Sequence, residues 1–165
     1  MAKNPNSPLV MLDSNVIISG ITSPRYCFEI LNHAFHQDFK LTLPEIILQE
    51  VSRNVQKKFP VYLHNLEEFF LHCPIKLVPS PQKAEIAKNK GMVRDKNDIP
   101  VILSAVKAGV DFLVTGDKDF TEGKEMNKIK KHFAILNPDE FLRTVMRWTD
   151  KDLEKIRLRT WSDLK

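Results

Sequence analysis

The most constraining feature of this chain is an alternation. Five short apolar runs, Leu9 to Leu12, Phe39 to Leu43, Ile75 to Val78, Phe112 to Thr115 and Phe133 to Leu136, are separated by longer stretches with helical periodicity. The runs are of strand length, and the intervals between them are too long for hairpin turns, so successive strands are expected to pair in parallel through helical crossovers. The expected fold is therefore α/β, a three-layer α/β/α arrangement with a central parallel sheet of about five strands and an additional C-terminal helix. A chain of 165 residues suits one domain that closes its core without disulfides or structural metals. Residues 1–8 are expected to be a flexible lead and 9–148 the α/β domain. Residues 149–165 are expected to form an amphipathic helix, packed on that domain or at an interface, with Leu153, Ile156, Thr160, Trp161 and Leu164 on one side.

Apolar residues make up 42% and charged residues 28%, which excludes disorder and fibrous repeats. Windows such as IPVILSAV fall far short of the ~20 residues of a spanning helix, and the polar start MAKNPNSP lacks a secretory apolar stretch. A cytoplasmic protein with no membrane partner is expected. Cys27 and Cys73 stand in no CxxC or Cys/His pattern and read as buried thiols. The net charge is +4, and because residues 1–80 carry seven basic and seven acidic side chains, the whole excess lies in the second half. A polyanion would meet that half, although the run Lys128, Lys130, Lys131 and His132 also reads as a solvated helix face.

Open parallel sheets place their chemistry beyond the carboxyl ends of the strands. The first strand ends at Asp13, followed by Ser14 and Asn15, and the fourth runs into Thr115, Gly116 and Asp117, with Asp119 two residues on. Either aspartate alone could be a turn or helix-cap residue, but both fall on one rim. The segment LPEIILQEVSRNVQKKF reads as a helix with Pro44 in its first turn. At ~100° per residue, Glu50 falls inside the arc from Ile46 to Ile47 that faces the sheet, whereas Glu45 points away. An inward carboxylate needs a cation, hydrogen bonds or a proton, and a salt bridge is the structural alternative. Another helix starts near Asp98, with Pro100 in its first turn, and stops at Gly109. Asp98 could serve as its cap, yet a helix start at the mouth of the sheet also aims it at the same rim.

Carboxylates gathered in this way repel, so some stay protonated or the group binds a hard cation. Oxygen donors without histidine or thiolate favour Mg²⁺ or Mn²⁺, one ion or two, over zinc. Such sites commonly carry out phosphoryl transfer with an activated water and need no nucleophilic side chain. Ser14 and Thr115 are short hydroxyls placed to orient a carboxylate or a metal-bound water.

The segments LVMLDSNVIISGI, LPEIILQEV and DKNDIPVILSAVKAGVDFLVTGDKDF together resemble a PIN domain, with TGDKDF the most telling part, over roughly residues 9 to 142. Within that family the chain looks most similar to the toxins of small prokaryotic toxin–antitoxin pairs, the VapC type. The resemblance implies an Mg²⁺- or Mn²⁺-dependent endoribonuclease acting on RNA, with Asp13, Glu50, Asp98 and Asp117 as its catalytic acids. It adds Asp119 as a metal ligand beside Asp13, Asp98 and Asp117, and implies a supporting role for Thr115. Asn15 matches a polar position of the family and is expected to fix the Asp13 loop. It also implies a small antitoxin protein and a homodimer contact as partners, with the C-terminal helix available for either. Arg94, Lys96, Lys118 and Lys124 are the basic residues nearest the acids in sequence and the candidates for touching RNA. One departure is Asn97, an uncharged position in the DKND loop where many members carry an acid, which bears on a second metal ion.

Two other classes fit less well. A phospho-receiver wants paired acids after its first strand, where MLDSN offers one, and a haloacid-dehalogenase-like phosphatase needs DxD, where Asn15 replaces the second acid. Within the PIN reading, an RNA-processing nuclease without a toxin role and a non-catalytic RNA- or protein-binding domain are the alternatives.

Overall fold

The computed structural model describes residues 6–93, 95–117 and 126–165. Its element order is β1 (Leu9–Leu12), α1 (Ser14–Thr22), α2 (Tyr26–Phe35), β2 (Lys40–Pro44), α3 (Glu45–Lys58), α4 (Leu63–His72), β3 (Ile75–Val78), α5 (Lys83–Lys88), α6 (Ile99–Ala108), β4 (Phe112–Val114), α7 (Met126–Ile129), β5 (Ala134–Leu136), α8 (Pro138–Thr144) and α9 (Asp150–Ile156). All five strands pair in parallel in the order β3-β2-β1-β4-β5, and helices flank the sheet. The expected fold class is what the chain adopts.

The strand order explains where chemistry can sit. From β1 the chain builds outward through β2 to β3, then crosses back to lay β4 against the other side of β1. This reversal opens a crevice between the carboxyl ends of β1 and β4, the topological switch point of an open sheet. Strand β1 is central and reads LVML because both of its faces are covered, and Val10, Met11 and Leu12 are fully buried. The edge strand β3, IKLV, leaves Lys76 and Leu77 exposed.

The helices carry local signals for their ends. Gly109 closes α6 at φ 68°, a left-handed cap that suits glycine. Asn137 caps α8 by accepting from the Glu140 N–H, with Pro138 in the first turn. Helices α1 and α2 cross closely at Gly20, where a Cβ would stand 2.5 Å from Leu31 Cδ1 and 2.8 Å from the Cys27 carbonyl oxygen. Both cysteines are free thiols, and burial pushes Cys27 up to about 12 and Cys73 up to about 11.

Three details differ from the sequence reading. Pro44 is the last residue of β2 and caps α3 from outside, because the N–H that proline lacks is not needed there and its extended ψ of 152° continues the strand. The buried stripe of α3 is Ile47, Val51 and Val55, which leaves Ile46 and Glu50 half-buried at its border rather than under the sheet. The C-terminal segment is not one helix. Helix α9 ends at Ile156, and a separate 3₁₀ turn, Trp161–Leu164, starts with its own capping box at Thr160 and Asp163. Leu153 and Ile156 are buried, whereas Thr160 and Leu164 are exposed. The break lets Arg159 donate to Pro24 O at 2.6 Å and to Glu29 Oε1 at 2.6 Å, and lets Trp161 donate to the Tyr62 hydroxyl at 3.1 Å.

Candidate active site at the carboxyl ends of β1 and β4

Asp13 stands at the junction of β1 and α1, where the strand must stop and the helix needs an N-cap. Its carboxylate accepts from the Ser14 N–H at 2.8 Å, a capping bond, while its own N–H donates to Val114 O at 3.0 Å across the β1–β4 seam. The Ser14 hydroxyl lies 3.5 Å from the same carboxylate oxygen. Capping therefore accounts for one carboxylate oxygen. The other accepts from the Thr115 hydroxyl at 3.0 Å, a residue 102 positions away.

Thr115 also serves Asp117. The Asp117 N–H donates to Thr115 Oγ1 at 3.1 Å, so one buried hydroxyl ties the Asp13 side chain to the backbone that carries Asp117. This explains a hydroxyl residue at the end of an otherwise apolar strand: it donates to a carboxylate and accepts from an amide, which neither Val nor Ala could do.

Asp13 is only 6% exposed. Burial pushes its carboxyl above the usual aspartate value. Hydrogen bonds from Thr115 and Ser14 oppose that rise, and the charges of Glu50 and Asp117 add to it. Glu50, from α3, and Asp117, after β4, thus share an electrostatic field with Asp13 although each comes from a different element. Glu50 is half-buried and lines a cleft of about 520 Å³ between α3 and the start of α6. Asp98 is half-buried where a 3₁₀ turn, Lys96–Asp98, passes into α6, with Asn97 and Ile99 on either side of it lining the same cleft. The capping bond in that turn comes from Asp95, which accepts from the Asn97 N–H at 2.9 Å; Asp98 occupies the N-cap position of α6, but its side chain makes no capping bond to that helix.

The structure therefore brings Asp13, Glu50 and Asp117 into one field, sets Asp98 at the edge of the adjoining cleft, and holds Ser14 and Thr115 on Asp13. Asn15 is exposed in the first turn of α1, and the bonds that fix Asp13 come from Ser14 and Thr115 instead. Lys96 is exposed on the cleft wall. Asp119, Arg94, Lys118 and Lys124 lie outside the described residues. Two residues that sequence reasoning passed over, Arg53 and Lys90, also line the cleft. Arg53 was legible from its place three residues after Glu50 on α3, whereas Lys90 carried no local signal.

Hard oxygen donors alone make up this set, which suits Mg²⁺ or Mn²⁺ and not a thiophilic metal. Among the described residues no three acids stand close enough to close around an ion. Nor, among them, is any helix long and apolar enough to cross a membrane.

Residues 9–119 match the model of the PIN domain family, and the chain belongs to that family, whose members are nucleases. Among solved structures, the chain is similar to the crystal structure of VapBC2 from Rickettsia felis bound to a DNA fragment from their promoter. The TM-score is 0.52 at 18% identity, covering 78% of this chain and 98% of that one. It is also similar to PAE2754 from Pyrobaculum aerophilum, with a TM-score of 0.54 at 13% identity over 78% of this chain and 98% of that one. At these identities the likeness is one of fold. A search of curated proteins gives no match.

Proposed function

We propose that this protein is an Mg²⁺- or Mn²⁺-dependent endoribonuclease that hydrolyses RNA phosphodiester bonds at the Asp13 site, and that it acts as the toxin of a toxin–antitoxin pair. The observation that carries the nuclease reading is the Thr115 bridge. A buried carboxylate with a raised pKa, repelled by two further acids and held in place from a distant strand, makes little sense as a stability device and good sense as a cation site.

In this reading Asp13, Asp98, Asp117 and Asp119 hold the cation. A bound divalent ion supplies an activated water and offsets charge that builds on the phosphate oxygens. Thr115 fixes the rotamer of Asp13 and the backbone of Asp117, so neither has to be ordered when substrate arrives. Glu50 faces the cleft and orients the attacking water, with Asp119 as a second acid for that task. Ser14 holds the other Asp13 oxygen, and Lys96 with Arg94, Lys118 and Lys124 attracts the RNA backbone.

The test is cleavage of a mixed single-stranded RNA by purified protein with Mn²⁺, Mg²⁺ or EDTA, beside Asp13→Asn and Asp117→Asn. Metal-dependent cleavage that disappears in both variants is the expected result. Hydrolysis retained in either variant overturns the assignment.

The toxin reading draws on the family and on the fold shared with VapBC2, and it carries a small antitoxin protein and a second copy of this chain as partners in a cytoplasmic setting. Exposed Val61, Leu71 and Leu158 offer apolar surface for such contacts. Induced expression is expected to arrest growth, and Asp117→Asn to relieve the arrest. Growth unaffected by an active nuclease would leave an RNA-processing role in its place.

A further inference from the structure

We propose that the cationic side of the Glu50 cleft is a subsite for the phosphodiester next to the one that is cut, so that the substrate is an oligonucleotide with at least one more phosphate on that side. The inference rests on the nuclease reading, which seats the scissile phosphate at Asp13.

Among the described residues, three cations line the cleft from three segments: Arg53 on α3, Lys90 just after α5, and Lys96 in the 3₁₀ turn before α6. They are far apart in sequence and meet only through the fold. Among the described residues lining this cleft, three are cations and one, Glu50, is an acid, whereas the neighbouring Asp13, Glu50 and Asp117 field is negative. Arg53 follows Glu50 by three residues on α3, a rise of about 4.5 Å on the same side of the helix. These cations thus begin one turn beyond the acids, where the chain of a bound polyanion would continue.

Among the described residues these charges are not spent on the protein itself. Lys107 pairs with Glu85, Arg143 with Asp150 and Arg159 with Glu29. Arg53, Lys90 and Lys96 make no ion pair among the described residues, and all three are exposed. Ile46 and Ile86 add apolar lining to the same cleft. Cations in a cleft with apolar lining suit a phosphate flanked by the flat face of a ribose or base. Such contacts set position along the strand rather than read base edges.

The experiment has two arms. In the first, binding of a 12-nucleotide fluorescent single-stranded RNA is followed by anisotropy against salt, in EDTA to prevent turnover. It compares the wild type, the triple variant Arg53→Gln/Lys90→Gln/Lys96→Gln, and a charge-matched control on and beside α9, Lys151→Gln/Lys155→Gln/Arg157→Gln. The triple variant is expected to reduce the slope of log K against log salt by at least ~0.7, one single-strand phosphate contact, while the control keeps it. In the second arm, an RNA with a mapped cut site carries one neutral methylphosphonate a step 5′ or a step 3′ of the scissile bond. One of these positions is expected to raise the wild-type KM about tenfold with kcat within threefold, the mark of binding shared by ground and transition states. The triple variant is expected to lose no more from the neutral linkage than from its own substitutions, since both remove one contact.

An unchanged salt slope and KM in the triple variant of an active nuclease overturns the subsite, as do losses that simply add. A slope loss in a protein that cuts no RNA shows phosphate contacts in the cleft but removes the nuclease reading, and with it the cleft's role beside a scissile bond.

Discussion

Thr115 concentrates the logic of the site into one hydroxyl, which donates to Asp13 Oδ2 and accepts from the Asp117 N–H. Thr115→Val keeps the shape and removes both bonds. It is expected to lower cation affinity or cleavage roughly 10- to 100-fold with the fold intact, a range typical when a ligand's support is removed, read as the shift in Mn²⁺ concentration needed for half-maximal cleavage. Asp13 has a linkage signature of its own. Its folded pKa lies above the ordinary aspartate value of 3.8, so in metal-free protein the neutral form is favoured by folding. The stability this contributes is present below the unfolded pKa and lost as pH rises through the folded one. Relative to the wild type, Asp13→Asn in EDTA should therefore melt at a higher temperature at pH 7 than it does by comparison at pH 4. A difference that is flat with pH would show that Asp13 is not strained. Glu50 marks the limit of reasoning at this scale: its helical phase placed it inward, but the stripe Ile47, Val51 and Val55 set the rotation of α3, and Glu50 came to rest at the border, facing the cleft. A one-dimensional angle cannot say which of two adjacent faces a neighbouring helix will cover.

At the level of elements, the close crossing of α1 and α2 depends on Gly20. A Cβ there would press within 2.5 Å of Leu31 Cδ1 and 2.8 Å of the Cys27 backbone, which cannot yield as a side chain can. Gly20→Ala is expected to destabilise by ~1–3 kcal/mol, the usual cost of overpacking, despite its better helix propensity, and chemical denaturation measures this directly. The strap after α9 is held by a different chemistry. Arg159 and Glu29 are 15% and 17% exposed and 2.6 Å apart, and the Arg159 guanidinium sits 5.7 Å from the Phe28 ring centre, which Trp161 meets edge-on at 5.5 Å. Arg159→Ala is expected to cost ~1–3 kcal/mol through lost charge-assisted bonds and to free the Trp161 indole, visible as a red shift of its fluorescence. The burial of Leu153 and Ile156 was legible in sequence, but the break after Ile156, which leaves Thr160 and Leu164 exposed, was not, because it depends on partners in α1's trailing turn and in α2.

For the molecule as a whole, the repulsion among Asp13, Glu50 and Asp117 means that a cation which binds only the folded state must stabilise it. At a hundred times its dissociation constant, Mn²⁺ is expected to add ~2.7 kcal/mol, seen as a rise in Tm that Asp117→Asn largely abolishes. No shift in the wild type would place the cation elsewhere or nowhere. The alternation of short apolar runs with helical stretches determined the α/β class, the parallel sheet and its strands to within a residue or two, because period and length act locally along the chain. The positions of Asp13 and Asp117 followed from the same rule, since strand ends of a parallel sheet share one rim. Only the tertiary structure decided that Thr115 would reach Asp13 across the β1–β4 seam, that Arg53, Lys90 and Lys96 would share one cleft, and that the C-terminal segment would fold back as a strap. Each of these joins residues far apart in the chain, and the free energy of such contacts resides in packing and charge geometry that local sequence does not encode.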